Sequence, residues 1–381
     1  MINFDANASY PLSPLVRELA EKAFAEHANS SSVHRAGQRA RMLLEEARES
    51  VRLAIGASSL DQIIFTSGAT EANILALYQA KFKGVPLAIS AFEHSSVYMA
   101  ANNLGLPAVV IIKRERAKQL TAEQLLSQLP ENIGFISIIH GGNESGELVD
   151  VKNLAEAIKN SYPNVIFHTD ASQVFGKLPL SFRELGVDLM TISGHKIGAP
   201  AGIGALIAKS GINVAPVVMS GFQEGGARPG TENLVGTYFF GKVAGSLKGE
   251  LLDRKRTLEN LKEAAIALIE ESGLPIVPNF PEFPSLPNTL SLSINGGDGD
   301  DLVVACDLEG VLISAGSACS SGRPETSSAL LGMGLSKEEA DSTVRLSFHH
   351  YLTESELRVG MKIFFECVSR ILEKQPIRKR A

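Results

Sequence analysis

Lys196 is the side chain with the most chemical potential in this chain. It lies in Ser193-Gly194-His195-Lys196, directly after the strand-like run Leu189–Ile192. A lysine at the end of a buried strand, among small residues, is placed to be held and partly desolvated. Desolvation disfavours the ammonium form and makes the amine a nucleophile. A solvated loop lysine is the plain alternative. Asp170, in Thr169-Asp170-Ala171-Ser172-Gln173, ends the preceding strand-like run 26 residues earlier. One crossover unit separates the two, so both should stand at the same sheet edge. A lysine amine with an aspartate facing a pyridine nitrogen is the pair that pyridoxal phosphate requires, because the carboxylate keeps the ring protonated and able to accept electrons. Asp170 alone also suits a helix N-cap, so the pair carries the reading.

Other segments could serve the same edge. Thr66-Ser67-Gly68-Ala69-Thr70-Glu71 links a strand to a helix, where backbone N–H groups and the Thr70 hydroxyl can cradle a phosphate. The same residues also suit a simple capping box. His94 follows a strand and opens a helix; its ring could stack on a cofactor and shuttle protons, or only cap. Asn143 and Glu144 sit in the loop after the apolar run Ile133–Ile139. Arg345 lies between Val344 and Leu346 in an alternating strand, where its guanidinium could grip a carboxylate bidentately or form a structural ion pair. Of the 3 cysteines, Cys306 and Cys367 fall in apolar helical patterns and read as core thiols. Cys319 lies among Gly, Ser and Ala, in Gly316-Ser317-Ala318-Cys319-Ser320-Ser321-Gly322, and is a candidate nucleophile.

The elements that must position these residues follow from periodicity. Strand-length apolar runs (Ile63–Phe65, Leu87–Ile89, Ala108–Ile112, Ile133–Ile139, Val165–Phe167, Leu189–Ile192) alternate with helical patterns over 69–83, 93–104, 121–129 and 150–161. That alternation predicts an α/β fold with a mostly parallel sheet, ligands being taken at the carboxyl ends of the strands. Residues 232–272 read as helix, and five prolines then punctuate Pro275–Pro287. A strand (289–294), a helix (300–309), a strand (344–348) and a last helix (354–373) complete a second α/β unit. The expected division is a large domain over 13–250 and a small domain made of 1–12 and 251–381. With 36 Lys and Arg against 42 Asp and Glu, the net charge of −6 argues against nucleic-acid binding. An odd, sparse cysteine count suits a reducing compartment. No targeting segment or membrane span is read, so a cytoplasmic protein is expected.

Taken in order along the chain, Ser67-Gly68-Ala69-Thr70-Glu71, Glu93-His94, Asp170 with Gln173, Ser193-Gly194-His195-Lys196, Arg228-Pro229-Gly230-Thr231-Glu232-Asn233 and the Cys319 segment resemble the NifS/IscS-type cysteine desulfurases. These belong to the class V aminotransferases, fold-type I pyridoxal-phosphate enzymes, and the likeness runs from Asp5 to about residue 370. The resemblance implies a large domain with a mostly parallel seven-stranded sheet. It implies that Lys196 holds pyridoxal 5′-phosphate covalently and acts as the base at the substrate α-carbon. Asp170 would pair with the pyridinium, Gln173 would contact the phenolic oxygen, and His94 would stack on the ring. Ala69, Thr70, Ser193 and His195 would bind the phosphate, with Thr231 supplied across a homodimer. Asn143 would contact cofactor and substrate, and Asn143 and Arg345 would hold the carboxylate of L-cysteine. Cys319 would take the sulfur as a persulfide and pass it to an acceptor or iron–sulfur scaffold protein. No metal is implied. A selenocysteine lyase, an aminotransferase and a non-catalytic cofactor-binding subunit are the competing readings. The chain departs from the family at His140-Gly141-Gly142-Asn143-Glu144, where His-Val-Asn-Asn-Glu is usual, and across Ser220–Gly226, where two glycines and an arginine are lost.

Overall fold

A computed structural model describes residues 1–115, 118–316 and 326–378, with side chains through residue 373. Strand β1 (Ile2–Asn3) is followed by the seven strands of the main sheet. These are β2 (Gln62–Thr66), β3 (Leu87–Ser90), β4 (Val109–Ile112), β5 (Phe135–Ser137), β6 (Ile166–Asp170), β7 (Leu189–Ser193) and β8 (Gly204–Ala208). Their spatial order is β2-β8-β7-β6-β5-β3-β4. The pairs from β7 across to β4 are parallel, while β8 runs antiparallel to both β2 and β7. Every residue of β3, β6, β7 and β8 is buried, so none of these strands alternates between a covered and a solvated face. The sheet is the mostly parallel, seven-stranded one expected. Strand β8, which follows the glycine-rich 198–204 stretch, is the one that periodicity does not mark. Strand β5 is shorter than the run Ile133–Ile139, yet Ile138 N and His140 N still donate to His168 O and Asp170 O.

The helix Leu234–Ser272 has 39 residues. At 1.5 Å per residue it is about 58 Å long, enough to serve two cores. Its residues up to Leu247 pack with the main sheet. From Leu258 to Ile269 it packs with a second cluster. That second cluster is built on β9 (Ile276–Pro278), β10 (Thr289–Ile294), β11 (Val311–Leu312), β12 (Ser314–Ala315) and β13 (Thr343–Ser347). The small sheet has the order β12-β13-β10-β9, and β1 pairs in parallel with β11. Cys306 and Cys367 are free thiols in the second core. Ala329, Leu330 and Met333, late in the chain, pack instead on the first core. Among the described residues no helix is long and apolar enough to cross a membrane.

His168 ties the middle of the main sheet together. Its Nδ1 meets Ser137 Oγ on β5 at 2.9 Å, and its Nε2 meets Thr191 Oγ1 on β7 at 3.0 Å. Burial pushes its imidazole down to about 4, against the pull of the Asp170 carboxylate. An ordinary histidine titrates near 6.5, so below that pH the unfolded chain binds a proton that the native chain refuses. Stability from this residue is therefore present at neutral pH and lost as pH falls from 6.5 towards 4. Between pH 7.5 and pH 5 the wild-type apoprotein should lose about 2 kcal/mol more in urea unfolding than His168→Gln. Equal losses in the two proteins would contradict this.

Candidate functional site

The carboxyl ends of β2, β3, β5, β6 and β7 open onto one cavity of about 390 Å³. That volume falls within the range of small-molecule sites. Parallel strands with βα connections put every one of these loops at the same edge. Lys196, Asp170, His94, Gln173, Asn143 and Arg345 all line the cavity, the last of them from the small sheet. Asp170 ends β6 and pairs in register with Thr191 on β7, so Lys196 follows on the neighbouring strand.

Asp170 is 4% exposed. Its Oδ2 accepts from Asn73 Nδ2 at 2.8 Å, and its Oδ1 accepts from the Ser172 backbone N–H at 2.9 Å. Asn73 lies one turn into the helix Ala69–Lys83, so the helix that begins beside the cavity also orients the carboxylate. Lys196 Nζ donates to the backbone carbonyl of Asn7, and to that of Ala8 at 3.4 Å. The Asn7 carbonyl also accepts from Gln173 Nε2 at 3.1 Å.

His94 caps the helix Ser95–Asn103, its Nδ1 accepting from the Ser96 backbone N–H at 3.1 Å. That bond leaves the proton of the neutral ring on Nε2. Burial holds the imidazole below its usual range; the Asp170 charge pulls it back up, and the charges on Lys196 and Arg345 push it down again. Beneath it, Glu93 Oε1 accepts from Ser90 Oγ (2.6 Å) and Ile139 N (2.7 Å). Burial pushes the Glu93 carboxyl up to about 8, with the Asp170 charge adding to it. Glu93 is thus a neutral acid at pH 7. Arg345 Nη1 donates to the Asn143 carbonyl at 2.8 Å and Nη2 to Asp5 Oδ1 at 2.5 Å.

The opposite end of the cavity suits an anion. Ala69 and Thr70 form the first turn of the helix Ala69–Lys83, where N–H groups have no intrahelical acceptor. Gly68 before it adopts φ 154°, and a Cβ on Gly204 of β8 would fall 2.7 Å from the Gly68 backbone. Both positions need glycine for the turn to approach the cavity. His195 lines the cavity, and burial, helped by Lys196, pushes its ring down to about 4. Ser193 is fully buried, its hydroxyl meeting His195 Nδ1 at 2.8 Å. Thr231 lines a separate cavity of about 200 Å³ that shares Ser67 and Gly202 with the first. Cys319 lies outside the described residues.

Two buried polar atoms on cavity-lining residues, Ser172 Oγ and Arg345 Nε, have no hydrogen-bond partner among the described residues. Unused donors, an amine, an oriented carboxylate and a helix start fit a phosphorylated pyridine aldehyde that carries a carboxylate-bearing substrate. Sequence reasoning gave no role to Asn7, Asn73, Ser172 or Glu93, although Glu93 stood in the Glu93-His94 motif. Only Asn73 carried a signal, as a polar residue at helical spacing from Ala69.

Residues 2–359 match the aminotransferase class-V family. The cysteine desulfurase IscS of Dictyoglomus turgidum is 34% identical over 98% of this chain and 95% of its own. The cysteine desulfurase IscS 1 of Archaeoglobus fulgidus is 32% identical, covering 99% of both. The crystal structure of a NifS-like protein from Rickettsia africae superposes with a TM-score of 0.88 at 30% identity, over 97% of this chain and 99% of that one. The chain therefore belongs to the class-V aminotransferase family, among its NifS/IscS-type cysteine desulfurases.

Proposed function

We propose that the protein is a pyridoxal-phosphate-dependent cysteine desulfurase that moves the sulfur of L-cysteine onto Cys319, releases L-alanine and passes the sulfur to an acceptor protein. The observation that carries this reading is the convergence of Lys196, Asp170 and Arg345 on one cavity. Pyridoxal 5′-phosphate, when bound, supplies an electron sink for charge developing at the substrate α-carbon. Lys196 would hold it, Asp170 would keep its ring nitrogen protonated, and Ala69, Thr70 and His195 would receive its phosphate.

The chain's own residues supply the remaining work. The Arg345 Nε–H and the second N–H of each terminal nitrogen are available to the substrate carboxylate, while Asn143 O and Asp5 brace Nη1 and Nη2. Lys196 Nζ takes the proton from the α-carbon. The Cys319 thiolate attacks the substrate sulfur: an S–S bond forms, the Cβ–S bond breaks with its electron pair left on carbon, Cβ gains a proton, and Lys196 returns a proton to the α-carbon. The products are L-alanine and a persulfide on Cys319, which two thiols reduce to sulfide and a disulfide. The neutral His94 ring can relay a proton without adding a second cation beside Lys196.

A homodimer is part of the same reading. Val218, Met219 and Phe222 are 63%, 86% and 94% exposed, in the stretch that leads to Thr231. Such a cluster of exposed apolar side chains favours cover by a second copy. Delivery to an iron–sulfur scaffold or to thiolated tRNA and cofactors in the cytoplasm is the role we infer for the persulfide.

Four measurements test these assignments. Purified holoenzyme with L-cysteine and a thiol reductant should yield sulfide and alanine in equal amounts over many turnovers. Cys319→Ser should bind the cofactor as wild type does but release no sulfide; normal sulfide output would overturn the assignment of Cys319. Lys196→Ala should lose the absorbance of the covalently held cofactor. Arg345→Ala should raise KM for L-cysteine by about tenfold to a hundredfold, the loss expected for a charge-assisted hydrogen bond to a carboxylate, while retaining the cofactor.

A further inference from the structure

Lys177 lies behind the candidate site, and none of the steps above uses it. It is 1% exposed, at the end of the turn that follows β6. Gly176 before it adopts φ 76°, and a Cβ there would fall 2.4 Å from Ile197 Cγ2. The turn is thus pressed against the segment that carries Lys196. Lys177 Nζ donates to Gln173 Oε1 at 2.7 Å and to Asn7 Oδ1 at 2.9 Å. Among the described residues no carboxylate pairs with it. Burial holds its amine well below the usual lysine range, and the charges of Lys196 and Arg345 push the same way. An amine buried beside neutral oxygens is costly, and a methionine would fill the same volume without that cost. What distinguishes lysine here is its N–H groups.

An amide side chain can present either its oxygen or its nitrogen, and its partners decide which. Because Lys177 donates, Gln173 must turn Oε1 towards it. Gln173 Nε2 then faces the other way, towards the Asn7 carbonyl and the cavity that Gln173 lines. Asn7 is fixed by the same logic. Its Oδ1 accepts from Lys177 and, at 3.1 Å, from Asn288 Nδ2, so its Nδ2 donates to Thr289 Oγ1 (2.9 Å) and Asn143 O (3.3 Å).

We propose that Lys177 is a positioning residue: it locks the Gln173 amide so that the cavity meets an N–H donor, not a carbonyl acceptor, at the place of the ring oxygen of a bound pyridoxal cofactor. The inference rests on the cofactor reading above. If the amide turned over, two oxygens would face each other and affinity would fall.

Equilibrium dialysis of pyridoxal 5′-phosphate against the apoproteins tests this, with the absorbance maximum of the bound cofactor as a second reading. Lys177→Met should raise Kd about tenfold, the value of one lost hydrogen bond and one new repulsion, and shift the maximum. Lys177→Met combined with Gln173→Ala should bind no more weakly than Gln173→Ala alone. A merely structural lysine would give additive losses and an unshifted spectrum, and either result overturns the proposal. Gln173→Glu gives an independent reading if Lys177→Met does not fold. It keeps an acceptor for Lys177 but offers the cavity only oxygens, so wild-type affinity in that variant would also overturn the proposal. Failure of the wild-type apoprotein to bind the cofactor would overturn the cofactor reading instead.

Discussion

A carboxylate buried to 4% exposure shapes the whole centre of this protein. Asp170 is held by neutral donors, the Asn73 amide and the Ser172 backbone N–H. Dipoles offset only part of the free energy of burying an anion; a facing cation supplies the rest. Its neighbours adjust to that charge. Glu93 holds its proton up to about pH 8. His168, two residues before it on the same strand, stays neutral down to about pH 4. The two titratable neighbours of Asp170 are therefore held neutral at pH 7, while a lysine stands across the cavity and an arginine at its rim. A protonated pyridine with an anionic substituent suits that pattern, its cation towards the carboxylate and its anion towards the helix start.

Holding this arrangement requires two cores to stay in register. The helix Leu234–Ser272 enters both, and the N-terminal strand joins them from the other side. Phe4 is buried in the second core, and Asn7, three residues later, meets Lys196, Gln173 and Lys177 from the first. The same asparagine meets Asn288 and Thr289 from the small sheet. Arg345 is a second stitch, running from β13 to Asn143 O. Movement of the small sheet would thus be felt at the Lys196 amine and at the Arg345 guanidinium together.

Much of this was legible in the sequence, for a physical reason. Buried parallel strands are short apolar runs, and their topology puts every following loop at one edge, so Lys196, Asp170, His94 and Asn143 could be placed together without knowing any contact. Arg345 was legible because Val344 and Leu346 mark the strand's apolar face. Strand β8 was hidden because its antiparallel return has no helix before it. The polar partners were hidden more deeply. Asn7 lies 189 residues from Lys196 and meets it through a backbone carbonyl, which no residue type announces. Lys177 reads as a surface residue, since burial of lysine among neutral oxygens is rare. Thr231 could be assigned to the site only through the family resemblance, and within one chain it lines the neighbouring cavity.

The departure at Gly142 is absorbed by the same geometry. Gly142 N donates to Glu147 O at 2.9 Å, and Gly146 N donates back to Gly142 O at 3.0 Å, closing a tight turn. A Cβ at position 142 would fall 2.3 Å from Ser145 Oγ. Ser145 Oγ is itself engaged, accepting from Glu147 N at 3.1 Å. An asparagine at 142 would therefore have to displace Ser145 and loosen Glu147, whose carboxylate pairs with Arg114 between the rings of Phe92, Phe280 and Phe283. Glycine at 142 and serine at 145 belong to one solution. Its result at the cavity is conservative, because Asn143 braces Arg345 through its backbone carbonyl, and a carbonyl keeps its place when a neighbouring side chain is lost.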